Sequence, residues 1–126
     1  MHALVVDDSR AMRALLGRIL REVGFDVREA AHGKEALEML RKHQTLRPFD
    51  LALVDWNMPE MNGFDLVCAV RADASYRDLR LVMVTTETDI GQVAKALAAG
   101  VNEYAMKPFT KEVILEKLAL LGFLVT

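Results

Sequence analysis

The sequence predicts an α/β protein in which a parallel sheet lies between two layers of helices. Short apolar segments alternate with amphipathic segments along the whole chain, which is the pattern of repeated strand–helix units. The most apolar segment, residues 51–54, is a continuous hydrophobic run, as expected for a strand buried on both faces. Strand–helix–strand units of this kind place helices on both sides of a parallel sheet.

The first helix has the clearest signals. It follows a predicted strand at residues 3–7, and either Asp8 or Ser9 suits its N-cap. Gly24 then ends it, because glycine is favoured just beyond a helix. The apolar residues between these points keep the spacing of one helical face, and they are Met12, Leu15, Leu16, Ile19, Leu20 and Val23.

The remaining elements continue the alternation. The other predicted strands cover residues 25–30, 50–55, 80–85 and 103–106. The other predicted helices cover residues 33–43 with Leu37 and Leu40 inward, residues 64–72, a segment before Gly100, and a segment from about 110 that fades at 122. Helical spacing in the fourth helix is carried by Ile90, Val93, Ala94, Leu97 and Ala98.

Strand polarity predicts the order of the sheet. The first, third and fourth strands are the most apolar and should lie inside, whereas the second carries Asp26, Arg28 and Glu29 and should lie at an edge. Right-handed crossovers leave few topologies, and the flavodoxin-like order 2-1-3-4-5 fits. We therefore expect a flavodoxin-like (βα)5 three-layer sandwich that forms a single domain over residues 1–126.

Composition excludes several classes of function. The net charge is -2, which does not indicate a nucleic-acid-binding protein. Four arginines recur along one segment and indicate a solvated helix face rather than a nucleic-acid site; they are Arg10, Arg13, Arg18 and Arg21. No apolar run is long enough to span a bilayer, and no signal sequence is recognised, so we expect a cytoplasmic protein. Cys68 is the single cysteine. His2, His32 and His43 lack metal-ligand spacing and are expected at the surface.

Polar groups collect where the predicted strands end. They are Asp7 and Asp8 after the first strand, Asp55 at the third, Thr85 and Thr86 at the fourth, and Lys107, followed by Pro108, at the fifth. In an open parallel sheet this edge is where ligands bind. Clustered carboxylates favour a hard cation, and Mg²⁺ is the natural candidate. Asp55, at the centre of the set, is placed to attack phosphorus and form an acyl phosphate.

These residues resemble the receiver domain of bacterial response regulators, and most closely its chemotaxis members. The resemblance rests on four short motifs: residues 5–8, the run 55–59 with the turn 61–63, Val84-Thr85, and Lys107-Pro108-Phe109. Two positions depart from the family pattern. Asn62 stands where Asp is common, and Thr86 stands where a smaller residue is common.

The resemblance implies a role for each site residue. Asp55 would be the phosphoacceptor, and Asp7, Asp8, Asp55 and the backbone carbonyl of Asn57 would bind Mg²⁺. Thr85 and Lys107 would contact the phosphoryl group, and the Lys107-Pro108 bond would be cis. Thr85 and Tyr104 would form the switch, and Asn57 and Glu87 would tune phosphoryl lifetime. The implied partners are a histidine kinase or phosphotransfer protein and a downstream protein target. That target would dock on the face formed by the fourth helix, the fifth strand and the fifth helix. Val113 and Leu120 either form part of this docking face with Tyr104 or pack partly against a neighbouring helix.

Two other functions remain open at this point. A magnesium-dependent phosphohydrolase with an aspartyl nucleophile would share the fold, but such enzymes typically place the nucleophile on the first strand. A phosphorylation-independent adaptor is the other alternative, and the intact acidic residues argue against it. No effector domain or direct nucleic-acid contact is expected.

Overall fold

The fold is a five-stranded parallel sheet with helices on both faces. We describe residues 1–86 and 90–123 from a computed structural model. The strands are β1 (His2–Val6), β2 (Asp26–Ala30), β3 (Leu51–Asp55), β4 (Arg80–Thr85) and β5 (Glu103–Met106). The helices are α1 (Arg10–Val23), α2 (Gly33–His43), α3 (Gly63–Arg71), α4 (Ile90–Ala99) and α5 (Lys111–Leu120). A short 3₁₀ turn at Ala74–Tyr76, which the sequence did not predict, precedes β4.

The strand order is β2-β1-β3-β4-β5, so the predicted topology is confirmed. All four strand pairs are parallel. β2 lies at an edge and exposes Asp26, Arg28 and Glu29, as its polarity predicted. β1 and β3 are buried at every residue, as continuous apolar strands should be when helices cover both faces.

Two hydrophobic layers hold the helices to the sheet. One packs α1 and α5 against residues such as Val5 and Leu53, and the other packs α2, α3 and α4 against residues such as Leu4 and Val54. Adjacent residues of one strand thus serve opposite layers, because side chains alternate between the faces of a sheet. Phe123 folds back onto the first layer and contacts the ring of Phe25, with ring centroids 5.2 Å apart. Leu124 and Val125 lie outside the described residues.

The helix ends match the sequence signals. Ser9 caps α1 by accepting a hydrogen bond from the Met12 amide, and Gly24 ends that helix with a φ of 109°. That left-handed conformation strains any residue with a Cβ, so glycine is suited to it. Gly63 opens α3 because a Cβ there would lie 2.6 Å from the carbonyl oxygen of Asp55. This close approach sets the start of α3 against the end of β3.

Three details of burial differ from the predictions. Leu15 is 38% exposed although Leu16 and Ile19 on the α1 stripe are buried, since it lies at the margin of the face that meets the sheet. Among residues 91–99 of α4 the buried residue is Ala96, while Leu97 is 45% exposed, because this part of the helix packs through its small side chain. His2 was expected at the surface, but it is 2% exposed and its ring stacks on Phe49 at 4.0 Å. It is buried because the loop before β3 covers it with Phe49 and places the Arg47 carbonyl oxygen 3.1 Å from its Nδ1.

Arg71 ties the end of α3 to the segments around it. Its guanidinium donates to the carbonyl oxygens of Gly100, Tyr76 and Leu79 and to Oδ1 of Asn102, at 2.7–2.9 Å. Asn102 Oδ1 also accepts from the backbone amide of Leu81 at 2.8 Å. One side chain therefore donates hydrogen bonds to carbonyl oxygens of the 3₁₀ turn and of the loop before β5, and it links both segments to α3. None of the described helices has the length and apolar character needed to cross a membrane.

We expect Arg71→Met to lower the free energy of unfolding by about 2 to 4 kcal/mol, because several partly buried acceptors lose their donors. Urea denaturation followed by circular dichroism measures this change. Arg77→Met is the matched control, since Arg77 is exposed and should change stability little. Equal stabilities for the two variants would contradict the role given to Arg71.

Candidate functional site

The carboxyl edge of the sheet brings together the polar residues predicted from the strand ends. Asp7 follows β1, Asp55 ends β3, Thr85 ends β4 and Lys107 follows β5. Asp7, Asp55 and Thr85 are buried, whereas Asp8 is exposed at the mouth of the site. One carboxylate oxygen from each of Asp7, Asp8 and Asp55 lies within 4.8 Å of the others.

Lys107 bridges two of these carboxylates. Its Nζ donates to Asp7 Oδ2 at 3.0 Å and to Asp55 Oδ1 at 3.4 Å. The Lys107 side chain is only 14% exposed, so both contacts form at reduced solvent screening. The bond between Lys107 and Pro108 is cis, as the family resemblance implied. The backbone amide of Lys107 also donates to the carbonyl oxygen of Thr85 at 2.7 Å, which extends the link between β4 and β5.

Asn57 connects the phosphoacceptor candidate to the residue at the end of β4. Its backbone amide donates to Asp55 Oδ1 at 3.3 Å, and its Nδ2 donates to Thr85 Oγ1 at the same distance. The side chain thus faces the site, although Asn57 as a whole is exposed. Asn62 caps α3, with its Oδ1 accepting from the amide of Asp65 at 2.9 Å, so this departure from the family pattern serves the turn.

The environment of Asp55 disfavours its charged form. Burial, and after it the negative charge of Asp7, raise the pKa of its carboxyl group, whereas Lys107 and the Asn57 amide oppose the rise, and the resulting pKa is about 6. Two buried carboxylates with one ammonium between them leave a negative charge uncompensated. The site is therefore electrostatically prepared for a further cation or for a reaction at Asp55.

The donor set fits a hard cation. The cluster offers only carboxylate oxygens, and no histidine or cysteine belongs to it among the described residues. Oxygen ligands of this kind suit Mg²⁺, which typically takes one or two carboxylates. Asp7, Asp8 and Asp55 thus form an acidic pocket of the kind that the family resemblance implied for Mg²⁺.

Sequence reasoning missed one contributor to the site. Arg13 was read as part of a solvated helix face, but its Nη1 donates to the backbone carbonyl of Asp7 at 2.7 Å and its Nε to Glu29 at 3.1 Å. Its guanidinium therefore fixes the backbone between β1 and α1. The helical spacing of the arginines does not predict this contact, because the contact depends on how α1 crosses β2.

The two predicted switch residues differ in position: Thr85 lies at the carboxyl edge beside Asn57, whereas Tyr104 lies within β5. Tyr104 is half-buried on β5, and Lys117 Nζ lies 4.7 Å from the centroid of its ring. The same ammonium bonds Glu103 at 3.2 Å. Thr86 is exposed beyond β4. Glu87, a predicted lifetime-tuning residue, lies outside the described residues.

Of the two side chains predicted at a docking face, one packs inward. Val113 contacts the hydrophobic layer beneath α5, whereas Leu120 is 65% exposed. Val113 also lines a surface pocket with Tyr104, so it contacts the layer beneath α5 and lies beside Tyr104 as well.

Asp55→Asn should stabilise the fold at neutral and alkaline pH in the absence of divalent cations. The folded-state pKa of about 6 exceeds the ordinary value of 3.8, so stability falls as pH rises from about 4 to 6 and the full penalty persists above that range. We expect a gain on the order of 2 kcal/mol at pH 8 in EDTA and none at pH 3.5, where the carboxyl group is protonated in both states. Urea titrations across pH measure it, with Asp78→Asn, an exposed aspartate, as control. A gain that is equal at both pH values would contradict this account.

Comparisons with known proteins agree with the geometry. The response regulator receiver domain matches residues 3–119. The chemotaxis protein CheY homologue of Campylobacter jejuni is 49% identical over 119 residues, which are 94% of this chain and 89% of that protein. Chemotaxis protein CheY1 of Helicobacter pylori is 47% identical over 119 residues, 94% of each chain.

Solved structures show the same likeness. The structure of the chemotaxis response regulator CheY4 of Vibrio cholerae superimposes with a TM-score of 0.86 at 36% identity, covering 95% of this chain and 97% of that one. The resemblance inferred from the four motifs is confirmed. This chain belongs to the response regulator receiver domain family, and it is the receiver domain of a CheY-like response regulator.

Proposed function

We propose that this chain is a response regulator of a two-component phosphorelay, with a receiver domain over residues 1–126, and that it acts in the cytoplasm. A histidine kinase or phosphotransfer protein donates a phosphoryl group to Asp55, and the change alters binding to a protein partner in chemotaxis. The observation that carries the proposal is the setting of Asp55, a buried carboxyl group whose pKa is raised to about 6 beside Asp7 and Lys107. CheY-like receiver domains are phosphoacceptor switches and not classical enzymes.

The chemistry assigns each group a task. A carboxylate oxygen of Asp55 attacks phosphorus, the bond from phosphorus to the histidine nitrogen breaks, and the electron pair stays with the imidazole. Lys107 has its ammonium group within 3.4 Å of Asp55 Oδ1, so we expect it to donate to a phosphoryl oxygen. The hydroxyl of Thr85, at the end of the adjacent strand, would bond another of these oxygens.

The residues proposed to hold Mg²⁺ are Asp7, Asp8, Asp55 and the backbone carbonyl of Asn57. A bound Mg²⁺ would supply positive charge for the phosphoryl oxygens. The support is the approach of three carboxylates to within 4.8 Å, which is unfavourable without added positive charge.

The output is proposed to pass through the face formed by α4, β5 and α5. Rearrangement at Thr85 would shift Tyr104, which lies on the strand paired with β4. Leu120 and Leu97 are exposed apolar side chains on the two helices of this face. Asn57 and Glu87 are proposed to set how long the phosphoryl group persists. No nucleic-acid contact is proposed.

Two alternatives are less well supported. A magnesium-dependent phosphohydrolase would use the same aspartyl chemistry, but membership of the receiver family argues for a switch. A phosphorylation-independent adaptor would not require a buried Asp55 with a raised pKa.

Phosphorylation itself is directly testable. We expect the wild-type protein to shift in phosphate-affinity electrophoresis after incubation with acetyl phosphate and Mg²⁺, and we expect EDTA to abolish the shift. Asp55→Asn should show no shift, because its amide is not a nucleophile for phosphorus. Asp78→Asn, an exposed aspartate away from the acidic cluster, should shift like wild type. An unshifted wild type, or an equal shift in Asp55→Asn, would exclude Asp55 as the phosphoacceptor.

Turnover separates the switch from the hydrolase. We expect no sustained release of p-nitrophenol from p-nitrophenyl phosphate with Mg²⁺ present. Multiple turnovers that disappear in Asp55→Asn would support a phosphohydrolase instead.

The cognate donor is best identified by comparing transfer rates from a panel of purified histidine kinases, since a strong kinetic preference for one kinase marks the physiological pair.

A further inference from the structure

A cleft lies beside the phosphoacceptor site, between the β3–α3 loop and α4. Its volume is about 430 Å³. Asn57 belongs to both places, since it lines the cleft and also bonds Asp55 Oδ1 and Thr85 Oγ1. A molecule that presents a phosphoryl group to Asp55 would therefore have this cleft next to it.

The chemistry of the cleft is opposite to that of the acidic cluster. Its polar lining consists of the amides of Asn57, Asn62 and Gln92 and the ammonium group of Lys95. None of the described residues that line it is a carboxylate. Amide N–H groups and an ammonium group suit an anionic oxygen, and the neighbouring aromatic rings suit a small apolar group.

Lys95 is held at the wall of the cleft by aromatic side chains. Its Nζ lies 4.3 Å from the ring centroid of Phe64. Phe64 in turn packs edge-on to Trp56, which is buried, with ring centroids 6.0 Å apart. A cation–π contact positions an ammonium group without neutralising it, so the positive charge remains available to an anion in the cleft.

We propose that this cleft is a leaving-group pocket for small acyl phosphates and that Lys95 determines specificity for them. This inference rests on the proposed function of Asp55. Asp55 would attack phosphorus, the bond from phosphorus to the acyl oxygen would break, and the electron pair would leave with that oxygen as a carboxylate. No proton has to be transferred. Lys95 then stabilises the negative charge that develops on the departing oxygen.

Phosphoramidate is the comparison donor, because its leaving group is different. There the phosphorus–nitrogen bond breaks and the nitrogen leaves as neutral ammonia, already carrying its protons. An ammonium group in the pocket has no developing negative charge to stabilise in that reaction. Lys95 should therefore favour acetyl phosphate over phosphoramidate at the same Asp55.

The test measures second-order rate constants for phosphorylation of the full chain by each donor with Mg²⁺. Lys95→Gln should lower the constant for acetyl phosphate roughly two- to fivefold, the effect of one solvent-exposed charge contact, and leave that for phosphoramidate unchanged. Lys95→Arg should retain the preference. Lys34→Gln is the matched control, because Lys34 is an exposed lysine near the start of α2, after a strand of the same sheet. Thermal unfolding checks that each variant is folded.

The outcomes separate this inference from the function on which it rests. A loss confined to acetyl phosphate in Lys95→Gln, absent in Lys34→Gln, supports the pocket. Equal constants for wild type and Lys95→Gln, equal losses for both donors, or the same loss in Lys34→Gln overturn it while Asp55 remains the phosphoacceptor. If neither donor phosphorylates the wild-type protein, the proposed function fails and the pocket fails with it.

Discussion

The bond of one ammonium group to two buried carboxylates is the interaction on which the site depends. Asp7 and Asp55 end neighbouring strands of a parallel sheet, so the topology forces their carboxylates together at low solvent exposure. Lys107, which follows the strand at the edge, reaches Asp7 at 3.0 Å and Asp55 at 3.4 Å. Without this cation the two negative charges would face each other in a poorly screened environment.

Lys107 compensates only part of the negative charge of Asp7 and Asp55, and the charge that remains suits the proposed function. The pKa of Asp55 remains raised to about 6 although Lys107 and the Asn57 amide favour its charged form. The fold therefore tolerates a destabilising group where chemistry is expected, and the apolar layers on both faces of the sheet offset it. The adjoining cleft, lined by amides and Lys95, differs sharply in charge from the acidic cluster, so the two regions are electrostatically distinct.

The periodic parts of the molecule were predictable from sequence. Continuous apolar runs predicted β1 and β3, the polar residues of β2 predicted its place at an edge, and Ser9 and Gly24 predicted the ends of α1. Predictions failed where burial depends on packing between distant elements. His2 is buried because the loop before β3 supplies Phe49 and the carbonyl of Arg47, which no local pattern announces. Leu97 is exposed because α4 packs through Ala96.

By itself the sequence determined the strand ends and thus the group of polar residues at the carboxyl edge, because parallel strands bring their carboxyl ends to one side. It also supplied the motifs that identify the family. Only the tertiary structure decided how these groups pair. Lys107 bridges Asp7 and Asp55, and Asn57 donates a hydrogen bond to Thr85. Arg13 donates a hydrogen bond to the backbone carbonyl of Asp7. Those contacts join residues far apart in sequence, and their distances depend on strand register and helix packing rather than on any local spacing.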